Sequence, residues 1–225
     1  MPDVKKKILS TRALDQEVIS KARVQGIWID CIPFIDIRYK SEKDIAGQFK
    51  DISESDIFIF TSQHAVKAAY ELIKNLSNSS YCISGVTRQE VQQTRLKILA
   101  NADYASDLVL LMERNSDLQY ILFCGDKRLP TIPDFFIAQK LHLQEVVCYE
   151  NIASPQRVTE QYDGVMFYSP SGVESYFSVN EINKNQHYYC IGNTTAKAIA
   201  KYINQNIIIG ERPTIQAMMD KIMEE

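Results

Sequence analysis

Val165-Met166-Phe167-Tyr168-Ser169-Pro170-Ser171-Gly172-Val173 opens a stretch that closes with Tyr189-Cys190-Ile191-Gly192-Asn193-Thr194-Thr195-Ala196. Both ends read alike: a short apolar run, a polar turn, then helical spacing. Residues 165–168 make the first apolar run, and Val173, Tyr176 and Phe177 resume at helix period. Residues 189–191 make the second, with 192–195 as a turn before an expected helix over 196–202. Ser169, Ser171, Gly172, Thr194 and Thr195 therefore stand where strand gives way to helix. Backbone N–H groups and the helix dipole favour an anion there. Serine and threonine at helix starts also serve as plain caps, worth about 0.5–2 kcal/mol. At this level both uses stay open.

The same pair of pieces occurs earlier. Phe60-Thr61-Ser62-Gln63-His64-Ala65-Val66 parallels the first, with Ser62 lying 107 positions before Ser169. Tyr81-Cys82-Ile83-Ser84-Gly85-Val86-Thr87 parallels the second, with Thr87 lying 108 before Thr195. Looser matches pair residues 8–12 with 121–125 and Cys31 with Cys148. Two pieces in one order at nearly one offset point to an internal duplication over about 7–105 and 119–212, against chance likeness between apolar strands.

Strand-like and helix-like segments alternate along the whole chain. Strands are expected at 5–11, 57–60, 81–83, 97–99, 120–124 and 207–209, and helices at 14–25, 45–50, 65–76, 88–93, 106–114, 135–141 and 215–223. Residues 27–37 and 144–152 read as long extended segments, interrupted by Pro33 and followed by Pro155, of the kind that links lobes. The alternation predicts an α/β architecture with parallel sheets. Ligands of such sheets bind beyond the carboxyl ends of the strands. Arg12, Thr61, Ser62, Thr87, Lys127, Ser169 and Thr195 all fall at those ends.

The 225 residues are 45% hydrophobic and 24% charged, enough for real cores. The formal net charge of −3 argues against nucleic acid as a partner. No apolar stretch has the length of a signal peptide or a membrane span, so a cytoplasmic location is expected. The five cysteines lie in or beside apolar runs without a CxxC, and read as buried small hydrophobes. GxGxxG, GxxxxGK[ST] and GxSxG are absent, and His64, His142 and His187 show no metal spacing. Hydroxyls and backbone amides are left to hold a ligand.

The chain resembles the uroporphyrinogen-III synthase family over nearly its full length. The resemblance rests on Ile8-Leu9-Ser10-Thr11-Arg12, Phe60-Thr61-Ser62, Gly85 with Thr87, Val147-Cys148-Tyr149, Phe167-Tyr168-Ser169-Pro170-Ser171-Gly172-Val173, Ile191-Gly192-Asn193-Thr194-Thr195-Ala196 and Pro213-Thr214. It departs at Cys124, where the family tends to carry an Arg before Gly125; Lys127 and Arg128 remain as candidate carboxylate partners. The resemblance implies two α/β lobes, 1–35 with 154–225 and 39–149, each a parallel sheet flanked by helices, joined by a two-stranded linker near 36–38 and 150–153. It implies a cofactor-free lyase that closes hydroxymethylbilane, a linear tetrapyrrole, to uroporphyrinogen III with loss of water and inversion of ring D. Ser62, Thr87, Tyr149, Ser169, Ser171, Thr194 and Thr195 carry over as contacts. It further implies a monomer, with at most a transient contact with the preceding pathway enzyme. Tyr149 is the candidate acid for the departing hydroxyl, since a phenol is protonated at neutral pH and no histidine has a claim on the task. The alternative for Tyr149 is an aromatic wedge between lobes. For the chain, the alternatives are a non-catalytic tetrapyrrole or anion sensor of the same fold, or an unrelated two-lobe binding protein.

Overall fold

The computed structural model describes residues 4–49 and 52–224. In chain order its elements are β1 (Lys6–Ser10), α1 (Gln16–Val24), β2 (Ile27–Cys31), β3 (Ile35–Tyr39), α2 (Glu42–Ala46), β4 (Ile57–Phe60), α3 (Gln63–Ile73), β5 (Ser79–Ile83), α4 (Val86–Val91) and β6 (Lys97–Ala102). They continue with α5 (Ala105–Leu111), β7 (Tyr120–Gly125), α6 (Thr131–Gln139), β8 (Leu143–Ala153), β9 (Gly164–Phe167), α7 (Pro170–Phe177), β10 (His187–Cys190), α8 (Asn193–Ile199), β11 (Ile207–Ile209) and α9 (Ile215–Glu224). They form two compact units, Met1–Asp36 with Ile152–Glu225 and Ile37–Asn151.

The first unit holds a five-stranded sheet in the order β11-β10-β9-β1-β2, and the second a six-stranded sheet in the order β3-β8-β7-β4-β5-β6. Strands β1, β2, β9, β10 and β11 pair in parallel, as do β4 to β8. Apart from the edge strand β3, the two orders are the same. Strand β1 stands where β7 does, β9 where β4 does and β10 where β5 does. The segments that match in sequence thus occupy matching places in the two sheets.

The central strands β4, β7 and β9 are buried at every residue, as a parallel sheet covered on both faces requires. Alternate side chains feed two cores. In the second unit Phe58, Phe60 and Phe123 face Ala65, Val66 and Ala69 of α3, while Ile59, Tyr120 and Leu122 face Leu108 and Phe136 of α5 and α6. In the first, Val165, Phe167 and Tyr188 pack on one face with Val173 and Tyr176, and Ile8, Met166 and Tyr189 pack on the other with Met218 and Ile222.

Several boundaries differ from the periodicity reading. Helix α2 starts at Glu42 because Ser41 caps it, its Oγ accepting the Asp44 N–H at 3.2 Å; its expected end at Lys50 lies outside the described residues. Ser79 and Ser80, expected in a loop, belong to β5, where Ser80 is fully buried and donates to the Lys97 carbonyl. Helix α6 begins at Thr131 and accommodates Pro133 in its first turn, where a missing N–H costs no bond. Helix α5 spans Ala105–Leu111, shorter than the apolar spacing suggested. Helix α8 begins at Asn193, so Thr194 and Thr195 lie inside its first turn rather than ahead of it. The extended segment over 27–37 is two strands, β2 and β3, in different sheets.

All five cysteines are free; Cys82, Cys124, Cys148 and Cys190 are buried, as their apolar neighbours suggested, while Cys31, at the end of the edge strand β2, is only half-buried. Burial pushes the four buried thiols up to about 11, 11, 12 and 11 respectively. It likewise pushes the Tyr168 and Tyr176 phenols up to about 12. The native state therefore keeps these protons to higher pH than the unfolded chain, whose thiols and phenols titrate near about 8.5 and 10. The stability they contribute is complete below those unfolded values and is lost as pH rises towards the native ones. Urea midpoints are expected to hold flat to about pH 8 and fall steadily above about pH 9. A midpoint constant to about pH 11 would contradict this burial.

Candidate active site

Each unit places a serine at the carboxyl end of a central strand, at the head of a helix. In the second unit Ser62 caps α3, its Oγ accepting the His64 N–H at 3.2 Å. The same oxygen accepts the Tyr149 O–H at 2.9 Å. Tyr149 reaches it because the β7–β8 register slips between Cys124 and Gly125, bringing Tyr149 opposite Gly125. Such irregularities re-aim a side chain at the end of a strand. Gly125 has no side chain in the way: a Cβ there would stand 2.5 Å from Tyr149 Cζ. The ring is 8% exposed. Burial raises its phenol above the ordinary value, and the Ser62 hydrogen bond offsets part of that rise. The group is a protonated acid across the neutral range.

In the first unit Ser169 caps α7, its Oγ accepting the Gly172 N–H at 3.1 Å and lying 3.3 Å from Ser171 Oγ. Gly172 is buried against this cap and faces Thr11, whose hydroxyl donates to the Met166 carbonyl at 2.7 Å. Next to Thr11, the Arg12 guanidinium lies over the Tyr168 ring at 4.2 Å. The Tyr168 hydroxyl is 2.9 Å from Ser10 Oγ. Burial pulls the Arg12 pKa down from its usual value. Its Nε is buried without a hydrogen-bond partner among the described residues. An unsatisfied buried donor on a cation calls for an explanation, and a bound anion is one.

The other expected contacts divide. Thr61 is half-buried beside Ser62, Thr194 is exposed at the head of α8, and Lys127 is exposed in the turn after β7. Thr87 and Thr195 are buried residues, at 5% and 1% exposure, in the first turns of α4 and α8. Arg128, expected with Lys127 as a carboxylate partner, is instead held by Glu145 of β8 in a two-pronged ion pair. Among the described residues no group of three or more His, Cys, Asp or Glu is arranged to hold a metal ion. Nor is any helix among them long and apolar enough to cross a membrane.

The model of the uroporphyrinogen-III synthase HemD family matches residues 16–220. The chain belongs to the uroporphyrinogen-III synthase family. No curated protein matches it. Among solved structures it is similar to the uroporphyrinogen-III synthetase of Helicobacter pylori, at TM-score 0.67 and 16% identity over 97% of this chain and 99% of that one. It is also similar to a mutant uroporphyrinogen III synthase of Thermus thermophilus, at TM-score 0.65 and 14% identity over 97% of each chain. The wild-type Thermus enzyme gives TM-score 0.53 at 14% identity and the same coverage. At these identities the structures speak for the shared α/β fold, and the family match for membership among enzymes of haem biosynthesis.

Within this member of the uroporphyrinogen-III synthase family, sequence reasoning passes over three residues at the Tyr149 site. Gly125 reads only as a landmark, Tyr39 carries no mark at all, and His64 is set aside for want of metal spacing. The signal for Gly125 is its place at the end of an apolar strand, where a glycine often marks close approach of another group. Nothing in the spacing of Tyr39 and His64 sets them together.

Proposed function

We propose that the chain is a cyclising hydro-lyase that converts hydroxymethylbilane to uroporphyrinogen III without a cofactor. The observation that carries the reading is the family match across residues 16–220. The two serine-capped helix heads support it chemically. The substrate carries eight carboxylates, and N–H donors at helix starts with a half-buried guanidinium suit such anions. Ser169, Ser171, Gly172 and Arg12 serve this purpose in one unit, and Thr61, Ser62 and Lys127 in the other.

The reaction begins when the terminal hydroxymethyl group on ring A loses its hydroxyl. Tyr149 protonates that hydroxyl as it leaves as water, and the pyrrole electrons stabilise the resulting azafulvene. Ring D attacks through its substituted carbon, forming a spiro intermediate. That intermediate reopens and recloses with ring D turned over. The proton lost when the pyrrole regains aromaticity balances the one that Tyr149 gave. Unaided, the bilane closes head to tail and no ring inverts. The enzyme's main task is therefore to hold the bilane where the inverted route is nearest, a positioning effect that supplies several kcal/mol.

Incubation with hydroxymethylbilane, followed by chromatographic separation of the isomers, tests the reading. Type III product is expected; type I alone, at the spontaneous rate, would overturn it. Ser62→Ala and Ser169→Ala are each expected to lower turnover about tenfold and to cost about 1 kcal/mol of stability through the lost cap. Complete loss of turnover from either change in a folded protein would mean a chemical role beyond binding.

A further inference from the structure

We propose that His64, clasped by Tyr39, is the positioning residue that keeps the Tyr149 phenol at the head of α3; this rests on the catalytic reading of Tyr149 above. Two elements of the second unit meet that ring, and a third holds one of them. Strand β7 brings Gly125, whose bare backbone the ring covers. Helix α3 and its cap bring Ser62, which receives the phenol proton, and His64, whose ring lies 5.5 Å from that of Tyr149 at 58°. Strand β3, beside β8 in the sheet, brings Tyr39 at its last residue. The Tyr39 hydroxyl is 2.8 Å from His64 Nδ1, and the two rings are 5.9 Å apart.

Ser62 Oγ ties the arrangement together. It accepts both the His64 backbone N–H and the Tyr149 O–H, so the head of α3, which carries the histidine, and the phenol share one anchor. The contact is not core packing, because Tyr39 is 46% exposed and His64 is half-buried. An exposed polar pair of this kind contributes little to stability. What it supplies is orientation: His64 flanks the Tyr149 ring at the head of α3 and keeps its hydroxyl on Ser62. The charged groups near the pair are Lys67 of α3 and Glu90 of α4, which neutralise each other at 3.2 Å.

The test compares His64→Ala, Tyr39→Phe, Tyr149→Phe and the His64→Ala/Tyr149→Phe double variant, with kcat and KM measured on hydroxymethylbilane. His64→Ala is expected to lower kcat about five- to tenfold with KM within about twofold, and Tyr39→Phe about threefold. In the Tyr149→Phe background His64→Ala should add no further loss, since both act through one hydroxyl. In parallel, protein labelled with 13C at tyrosine Cζ reports Tyr149 directly, its resonance being the one absent from Tyr149→Phe. That resonance should move in His64→Ala and in Tyr39→Phe, and its titration should fall to lower pH as the ring gains solvent. Losses that multiply in the double variant, or a Tyr149 resonance unmoved by both single changes, would overturn the proposal. If the wild type makes no type III isomer, the functional reading fails, and the resonance still decides whether His64 places the ring. Should His64→Ala not fold, Tyr39→Phe, which removes one oxygen, carries both measurements.

Discussion

Tyr149→Phe is expected to lower kcat ten- to a hundredfold, about 1.4–2.8 kcal/mol of transition-state stabilisation. The change removes one oxygen and leaves the ring on Gly125. In the native protein that hydroxyl sits 2.9 Å from Ser62 at the carboxyl end of β4. Burial holds it protonated above the ordinary phenol range, so the loss should be uniform from about pH 6 to 9. Stability should change by only about 0.5–1.5 kcal/mol, the worth of one hydrogen bond, because Ser62 still caps α3 through the His64 N–H. Turnover at the wild-type rate would refute the acid role and leave Tyr149 as a packing group.

Phe123→Ala should cost about 3–5 kcal/mol, a large part of the roughly 5–15 kcal/mol typical of a whole domain. Phe123 is fully buried in β7. Its ring stacks on Phe60 at 5.1 Å and meets Phe58 edge-on at 5.2 Å and Phe49 at 6.1 Å. Truncation opens a cavity against Phe58 and Phe60, which β4 holds in place, so collapse into it is limited. The position is two residues before Gly125, and loosening β7 should also weaken the seat of Tyr149. Equilibrium urea denaturation measures the loss, and a value under about 1 kcal/mol would show that this cluster does not pack as described.

Much of the architecture was legible because its determinants are local. The runs Ile57-Phe58-Ile59-Phe60 and Val165-Met166-Phe167 suit doubly covered strands, and the polar turns after them carry their own caps. Ser62 and Ser169 were visible in the sequence as cap or site. Both are caps, and the Ser62 oxygen also receives the Tyr149 hydroxyl. The matched pieces 107 and 108 residues apart foretold strands in equivalent sheet positions. Where periodicity and capping disagreed, as at Ser41, capping set the helix start.

The sequence by itself determined the α/β order, the internal repeat, the burial of four of the five cysteines and the strand ends at which Ser62 and Ser169 stand. Only the tertiary structure decided that Arg128 is held by Glu145, that Thr87 and Thr195 are buried, and that Tyr149 meets Gly125, Ser62 and His64. The reason is range. Apolar runs and caps act over three or four residues of chain. Each of those contacts instead depends on which strand lies beside which and in what register, and a single slipped residue at Cys148 is enough to turn the Tyr149 phenol towards Ser62.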